Sequence, residues 1–305
     1  MATRRGLLWT LLLAPILFAP AVGAQSAEAE PAEGLEPAAE VLPEPDPPVV
    51  LILGASVSSG FVFPQPRDDG ERNSGIELAR ALRAMWPDDA VRLRDRSDLS
   101  TFLDPVGKQA RHIELALEER PALVIAVDFM FWFGYGSVRG AAEDVPDARL
   151  ALQAQGLALL ERLDAPILLG DYPDMRGADL RMLSASQIPS PDTLAALNQA
   201  LRDWAAPRPN VHLFPLAAFV AAVKRDGAPV RIDGEELQLP AEALLQSDRL
   251  HTTRLGVAVL GARIHDAILE TLADDDPLRP QELSFASLLD ATRARWEFDE
   301  LFERR

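Results

Sequence analysis

The chain has 305 residues, 48% of them hydrophobic, with no cysteine and a formal net charge of −17. The lack of cysteine excludes disulfides, thiol chemistry and zinc-thiolate sites. So acidic a balance argues against nucleic acid and anionic membrane surfaces as partners, and says little about a small substrate.

The first five residues, MATRR, are a short basic start, and GLLWTLLLAPILFAPAVGA is an apolar run ending in a small-x-small site at Val22-Gly23-Ala24. Residues 1–24 therefore read as a secretory signal peptide, and two prolines interrupt the run as a membrane span. Loss of Arg4 and Arg5 with this leader takes the charge from −17 to −19. The expected location is secreted or periplasmic, with no membrane span left after cleavage. Residues 25–48 hold seven acids, no base and many Ala and Pro. Such a segment buries too little apolar surface to offset its ordering entropy, so a disordered, extended linker is expected.

From Pro47 the pattern changes. PPVVLILGAS is a buried parallel strand by its length and flanks. SGIELARALRAMWP has helical spacing, with Asn73 or Ser74 as the expected N-cap. AVRLRD is a second strand, and DPVGKQARHIELALEERP a helix with Pro105 in its first turn. ALVIAVDFMFWFGYG begins as a third strand. The alternation of Phe129, Phe131 and Phe133 then reads as a strand end with one very apolar face. DARLALQAQGLALLERLD is a helix, APILLGDYPD a fourth strand, SPDTLAALNQALRDWAAP a helix capped by Ser190, and NVHLFPLA a fifth strand. The stretch that follows reads as irregular up to SDRLHTT. RLGVAVLGARIHDAILETLAD is then a long helix. The expected α/β domain spans residues 49–275, with a C-terminal helical extension over 276–305.

Strands alternating with helices imply a three-layer α/β/α domain on a parallel sheet. Five strands suit the flavodoxin-like order 2-1-3-4-5, whose site lies at the carboxyl ends of the strands beside the first one. Ser56 falls there. A serine hydroxyl needs a nearby base, and the base an orienting acid. Of the four histidines, His112 and His265 sit inside expected helices and His212 in a strand. His251 alone lies in a polar loop, three residues after Asp248.

The blocks Gly54-Ala55-Ser56-Val57-Ser58-Ser59-Gly60 and Asp248-Arg249-Leu250-His251, with Gly256 following, together resemble the SGNH/GDSL hydrolase family. The resemblance implies the SGNH hydrolase fold, with Ser56 as nucleophile, His251 as base and Asp248 as orienting acid. No cofactor is expected, and the scattered histidines suggest no metal site. Ala55 replaces the family's aspartate. The family's middle blocks do not match: VRLRDRSDLSTFLDP lacks the oxyanion-hole glycine, with Ser97 and Ser100 the polar residues nearby. Asp128 stands at the glycine of the next block and Met130 at its asparagine. Trp132, Tyr135 and the loop Gly134 to Gly136 are the alternative oxyanion donors. Asp128, Met130, Trp132 and Tyr135 are the expected substrate contacts. Asp128 either organises the loop carrying Ser56 or holds a substrate hydroxyl. The expected partner is a small-molecule, saccharide or lipid ester. An acyltransferase with the same triad, or a binding module on the same fold, are the other functions this resemblance allows. Asp171 and Asp174 read as turn residues.

Overall fold

The computed structural model describes residues 46–64, 73–138, 145–232 and 234–303. The expected signal peptide, and the expected linker up to residue 45, lie outside the described residues. Asp46 to Arg305 form one compact unit, and at its start the Pro48 carbonyl already accepts from the N–H of Arg92.

The sheet is built from five four-residue strands: β1 (Val49–Ile52), β2 (Arg92–Asp95), β3 (Leu123–Ala126), β4 (Ile167–Gly170) and β5 (Val211–Phe214). All neighbours pair in parallel, in the order β2-β1-β3-β4-β5. VVLI, LVIA and ILLG are buried at every position, as central strands covered on both faces must be. The edge strand β2 instead exposes Arg92, Arg94 and Asp95, charges that discourage pairing with another chain.

Successive strand side chains point to opposite faces. Val50, Ile52 and Ile125 pack with α1 (Leu78–Arg83), α8 (Arg254–Thr271) and α9 (Phe285–Ala291). Leu51, Leu53, Val124 and Ala126 pack with α2 (Pro105–Glu119), α4 (Val145–Leu160) and α5 (Pro191–Ala205). The C-terminal α10 (Arg295–Glu303) places Phe298 in the first of these cores. Ser190 caps α5 and Pro105 opens α2, both as their sequences imply. Among the described residues no helix is long and apolar enough to cross a membrane.

Three expectations are corrected. Neither Asn73 nor Ser74 caps α1; its N-cap position is Glu77, which makes no side-chain capping bond. The two polar side chains are drawn instead to the distant segment after residue 246: Asn73 bonds Ser247, and Ser74 accepts from the N–H of Arg254. The phenylalanine stretch does not continue as a strand. It turns into α3 (Phe131–Tyr135), so Phe129 and Phe133 stack one helical turn apart, with ring centroids 5.7 Å apart. The stretch read as irregular contains α6 (Leu216–Asp226), an antiparallel hairpin of β6 (Ala228–Ile232) and β7 (Glu235–Leu239), and α7 (Ala241–Leu244). Its signals were present: Lys224 and Arg225 in the last turn before Gly227, then alternating residues around Asp233-Gly234.

Candidate active site

β1 delivers its chain to the carboxyl edge of the sheet, where Gly54 allows a close crossing. A side chain at residue 54 would run into the Asp128 carboxylate and the Ser58 side chain. Behind it, the Gly54 carbonyl accepts from the Asp98 N–H and the buried Gln109 side chain. The chain then coils tightly: the N–H of Ser59 bonds the Ala55 carbonyl at 3.0 Å, and that of Phe61 the Ser56 carbonyl at 3.0 Å. Gly60 takes φ 73° to leave this coil, a left-handed value that favours glycine.

Asp128, just beyond β3, holds the coil from below. Its carboxylate accepts from the N–H groups of Val57 (3.0 Å) and Ser58 (3.1 Å) and from the Ser58 hydroxyl (2.5 Å). Burial pushes this carboxyl above the ordinary carboxylate range, while the Ser58 hydroxyl and the N–H groups of Ala55, Ser58 and Val57 pull it back down.

On the other side, the segment between α7 and α8 is wound around Asp248. One carboxylate oxygen accepts from the N–H groups of Leu250 and His251, both at 3.0 Å. The other lies 2.6 Å from His251 Nδ1. His251 Nε2 in turn lies 2.8 Å from Ser56 Oγ. Asp248 and His251 are buried, and the Phe61 ring packs on the imidazole at 4.3 Å. Arg249 takes φ 54° to let the segment turn this sharply. Thr253, as N-cap, starts α8 straight afterwards by accepting from the N–H of Gly256.

Gln246, which the sequence did not single out, and Asn73, which it marked only as a helix cap, join the serine segment to the histidine segment. The Gln246 amide accepts from Phe63 N–H (2.7 Å) and donates to the carbonyls of Phe61 and Thr252 (both 2.7 Å). Asn73 donates to the Phe63 carbonyl and the Ser247 hydroxyl. Nothing in their local sequence marks them for this role, because each bond spans more than 170 positions except Asn73 to Phe63 and Gln246 to Thr252.

The expected substrate contacts divide. Asp128 borders a cavity that opens beside Ser56, and Phe131 does so too. Met130, Trp132 and Tyr135 do not; all three are buried in the core on the α2, α4 and α5 side. The change from strand to helix at residue 131 turned these side chains away. The Tyr135 hydroxyl is committed to the Pro173 carbonyl and the Met175 N–H. The Gly134 and Gly136 carbonyls accept from the buried Arg149, which leaves that loop braced from within. Ser97 and Ser100 spend their hydroxyls locally on Asp95 and Asp98. Asp174 bonds locally to the Arg176 N–H and guanidinium, as a turn residue does, whereas Asp171 does not act as one: its carboxylate accepts from the N–H of Ala217 in the first turn of α6. His112 lies on α2, His212 on β5 and His265 on α8, and the histidine bonded to Ser56 is His251. Among the described residues no cluster of His, Asp and Glu is placed to hold a metal ion.

The strand order, the serine straight after β1 and the Asp-x-x-His straight before α8 form one arrangement. The fold is a three-layer α/β/α arrangement on a five-stranded parallel sheet in the flavodoxin-like order. No family model and no curated protein matches the chain. Solved structures do. TesA shares 19% identity with it over 73% of this chain and 99% of that one, at a TM-score of 0.44. The psychrotrophic esterase EstA from Pseudoalteromonas sp. shares 14%, over 73% and 97%, at 0.40. A catalytic mutant of Axe2, an acetylxylan esterase from Geobacillus stearothermophilus, shares 16%, over 73% and 93%, at 0.42. At these values the likenesses say nothing of substrate or activity in this chain.

Proposed function

We propose that the chain is an exported serine hydrolase acting on carboxylic esters, with Ser56 as nucleophile, His251 as general base and acid, and Asp248 as the group that orients the imidazole. The observation that carries this reading is the continuous line from Asp248 to His251 (2.6 Å) to Ser56 (2.8 Å) at the carboxyl edge of the sheet. A neutral imidazole whose Nδ1–H is held by a carboxylate presents the lone pair of Nε2 to the serine hydroxyl.

In this reading Ser56 Oγ attacks the ester carbonyl carbon as its proton passes to Nε2. The tetrahedral oxyanion collapses by breaking the bond to the leaving oxygen, which takes the proton from Nε2 and departs as the alcohol. Water then attacks the acyl-serine, giving its proton to Nε2, and Ser56 regains one as the carboxylic acid leaves. The oxyanion faces the Ser56 N–H. The Val57 and Ser58 N–H groups are spent on Asp128, and Met130 has no side-chain amide to donate. Losing one oxyanion donor costs about 10²–10³ in turnover, so this enzyme is expected to be slow for its class.

The test is labelling with a fluorophosphonate, which reacts only with an activated serine, alongside hydrolysis of a short nitrophenyl ester. Both are expected in the wild type and neither in Ser56→Ala, with the far-UV CD unchanged. Equal activity in Ser56→Ala would overturn the assignment. The occupied N–H groups and Met130 favour a second reading, a binding module on the same fold; it predicts a protein that neither labels nor hydrolyses.

A further inference from the structure

Thr253, the N-cap of α8, lies two residues after His251, so whatever anchors this helix end also bears on the imidazole. A helix leaves its first N–H groups without partners inside the helix. Here each is met from a different place. The Thr253 N–H bonds the Leu244 carbonyl of α7 at 3.0 Å, and the Arg254 N–H bonds the Ser74 hydroxyl at 3.3 Å. The Gly256 N–H bonds Thr253 Oγ1 at 3.0 Å. The remaining donor, the Leu255 N–H, bonds the Glu297 carboxylate at 3.1 Å.

Glu297 belongs to α10, in the C-terminal extension. Leu255 is fully buried and Glu297 half-buried, so their bond is largely shielded from water. A carboxylate at this end of α8 also meets the positive end of the helix dipole. Glu297 sits on a fixed element: its neighbour Phe298 is buried, with its ring 6.3 Å from that of Phe285 on α9 and 4.9 Å from that of Phe302. The first turn of α8 is also packed directly on α7, since a side chain at residue 256 would strike the Leu244 carbonyl. Without Glu297 the Leu255 N–H must find another acceptor, and this turn must tilt to give it one. The tilt passes through Thr253 to His251, whose Nε2 lies 2.8 Å from Ser56 Oγ.

We propose that Glu297 is a positioning residue for His251: by accepting the Leu255 N–H it fixes the start of α8, and with it the distance from the imidazole to Ser56, which makes the C-terminal helix part of the hydrolytic unit. The proposal rests on the ester-hydrolase reading of the site. Glu297 acts through α8 and not on the reacting atoms, so it governs how fast bound ester reacts and not how well it binds.

The test compares three variants of the full chain, by kcat and KM on a nitrophenyl ester well below the melting midpoint and by amide hydrogen exchange. Glu297→Ala removes the acceptor and is expected to lower kcat about 10- to 100-fold, with KM within about twofold of the wild type. Glu297→Gln keeps an oxygen at the same reach and is expected to stay within about threefold in kcat. Glu297→Asp keeps the charge but withdraws the oxygen by one methylene, and is expected to fall toward the alanine variant; should Glu297→Ala not fold, Glu297→Asp carries the same reading. The Leu250 and His251 N–H groups, which bond Asp248, are expected to exchange faster in the alanine and aspartate variants and at the wild-type rate in Glu297→Gln. Unchanged kcat in Glu297→Ala and Glu297→Asp, with only the melting temperature lowered, overturns the proposal. Equal losses in Glu297→Gln and Glu297→Ala overturn it too, because they assign the effect to charge and not to the bond. A wild type that hydrolyses nothing removes the hydrolase reading, and the exchange data then decide alone. Faster exchange that reaches Leu250 and His251 keeps the link from Glu297 to the histidine segment; faster exchange confined to Leu255 and Gly256, or none, overturns it.

Discussion

The Ser56 hydroxyl lies 2.8 Å from His251 Nε2 although 195 positions separate them. Two independent structures meet at this distance: the coil that follows β1 and the tight turn that precedes α8. The order Asp248, His251, Ser56 makes the tautomer of the imidazole the sensitive variable. Asp248→Asn keeps an oxygen for the N–H groups of Leu250 and His251 but turns an amide donor toward Nδ1. That forces the proton to Nε2, where it faces Ser56. The expected loss in kcat is about 10⁴-fold, the size seen when a triad's acid is neutralised, with little change in thermal stability. Steady-state kinetics beside a melting curve measures both, and a loss under tenfold would remove Asp248 from the mechanism.

Asp128 supports the same serine from the other side. Replacing it by alanine leaves two backbone N–H groups and a buried hydroxyl without their acceptor. Each such group costs roughly 1–3 kcal/mol when left unmet, and local relaxation recovers part of that. Asp128→Ala is expected to lose about 3 kcal/mol in urea unfolding together with most of the ester hydrolysis. Asp128→Asn, which still offers an oxygen to the two N–H groups, is expected to retain more of both. Equal stability of all three proteins would exclude a role for Asp128 in holding the coil.

Gln246 sets the distance between the two segments rather than the chemistry of either. Gln246→Ala removes its bonds to Phe61, Phe63 and Thr252 at once. Misplacement of reacting groups by about 1 Å costs about 10²-fold. The expected signature is a fall in kcat of roughly that size with KM nearly unchanged, and slower fluorophosphonate labelling. A variant altered only in melting temperature would make Gln246 a purely structural residue.

Lys224 gives the fold a pH dependence of predictable sign. Burial lowers its pKa from 10.5 to about 8, with Asp174 opposing and Arg249 reinforcing the shift. The folded state thus binds fewer protons than the unfolded chain between about 8 and 10.5, so this residue's contribution to stability rises with pH across that window. Below it the charged lysine is held at a cost. Lys224→Met is therefore expected to compare best with the wild type near pH 7 and to lose ground toward pH 10, as read from urea midpoints at both values. A gap independent of pH would show that the buried ammonium carries no such cost.

The two kinds of information divide cleanly along physical lines. Period and punctuation determined the elements. VVLI, LVIA and ILLG are strands because both of their faces are apolar, and Pro105 and Ser190 mark helix starts by their own chemistry. Asp248 and His251 were legible as a pair only together with the Ser56 block, through the family resemblance, because an Asp-x-x-His spacing is common by itself. Phe131 to Tyr135 was misread because five aromatic and small residues carry too little period to separate a strand end from one helical turn. Only the tertiary structure decided what the long-range bonds decide: that Asp128 takes up the N–H groups after Ser56, that Asn73 and Gln246 bind the two segments together, and that α6 and α8 leave an apolar cavity at the serine. A hydrogen bond or a cavity wall between residues far apart in the chain leaves no trace in the spacing of either partner; it exists only once packing has placed them side by side.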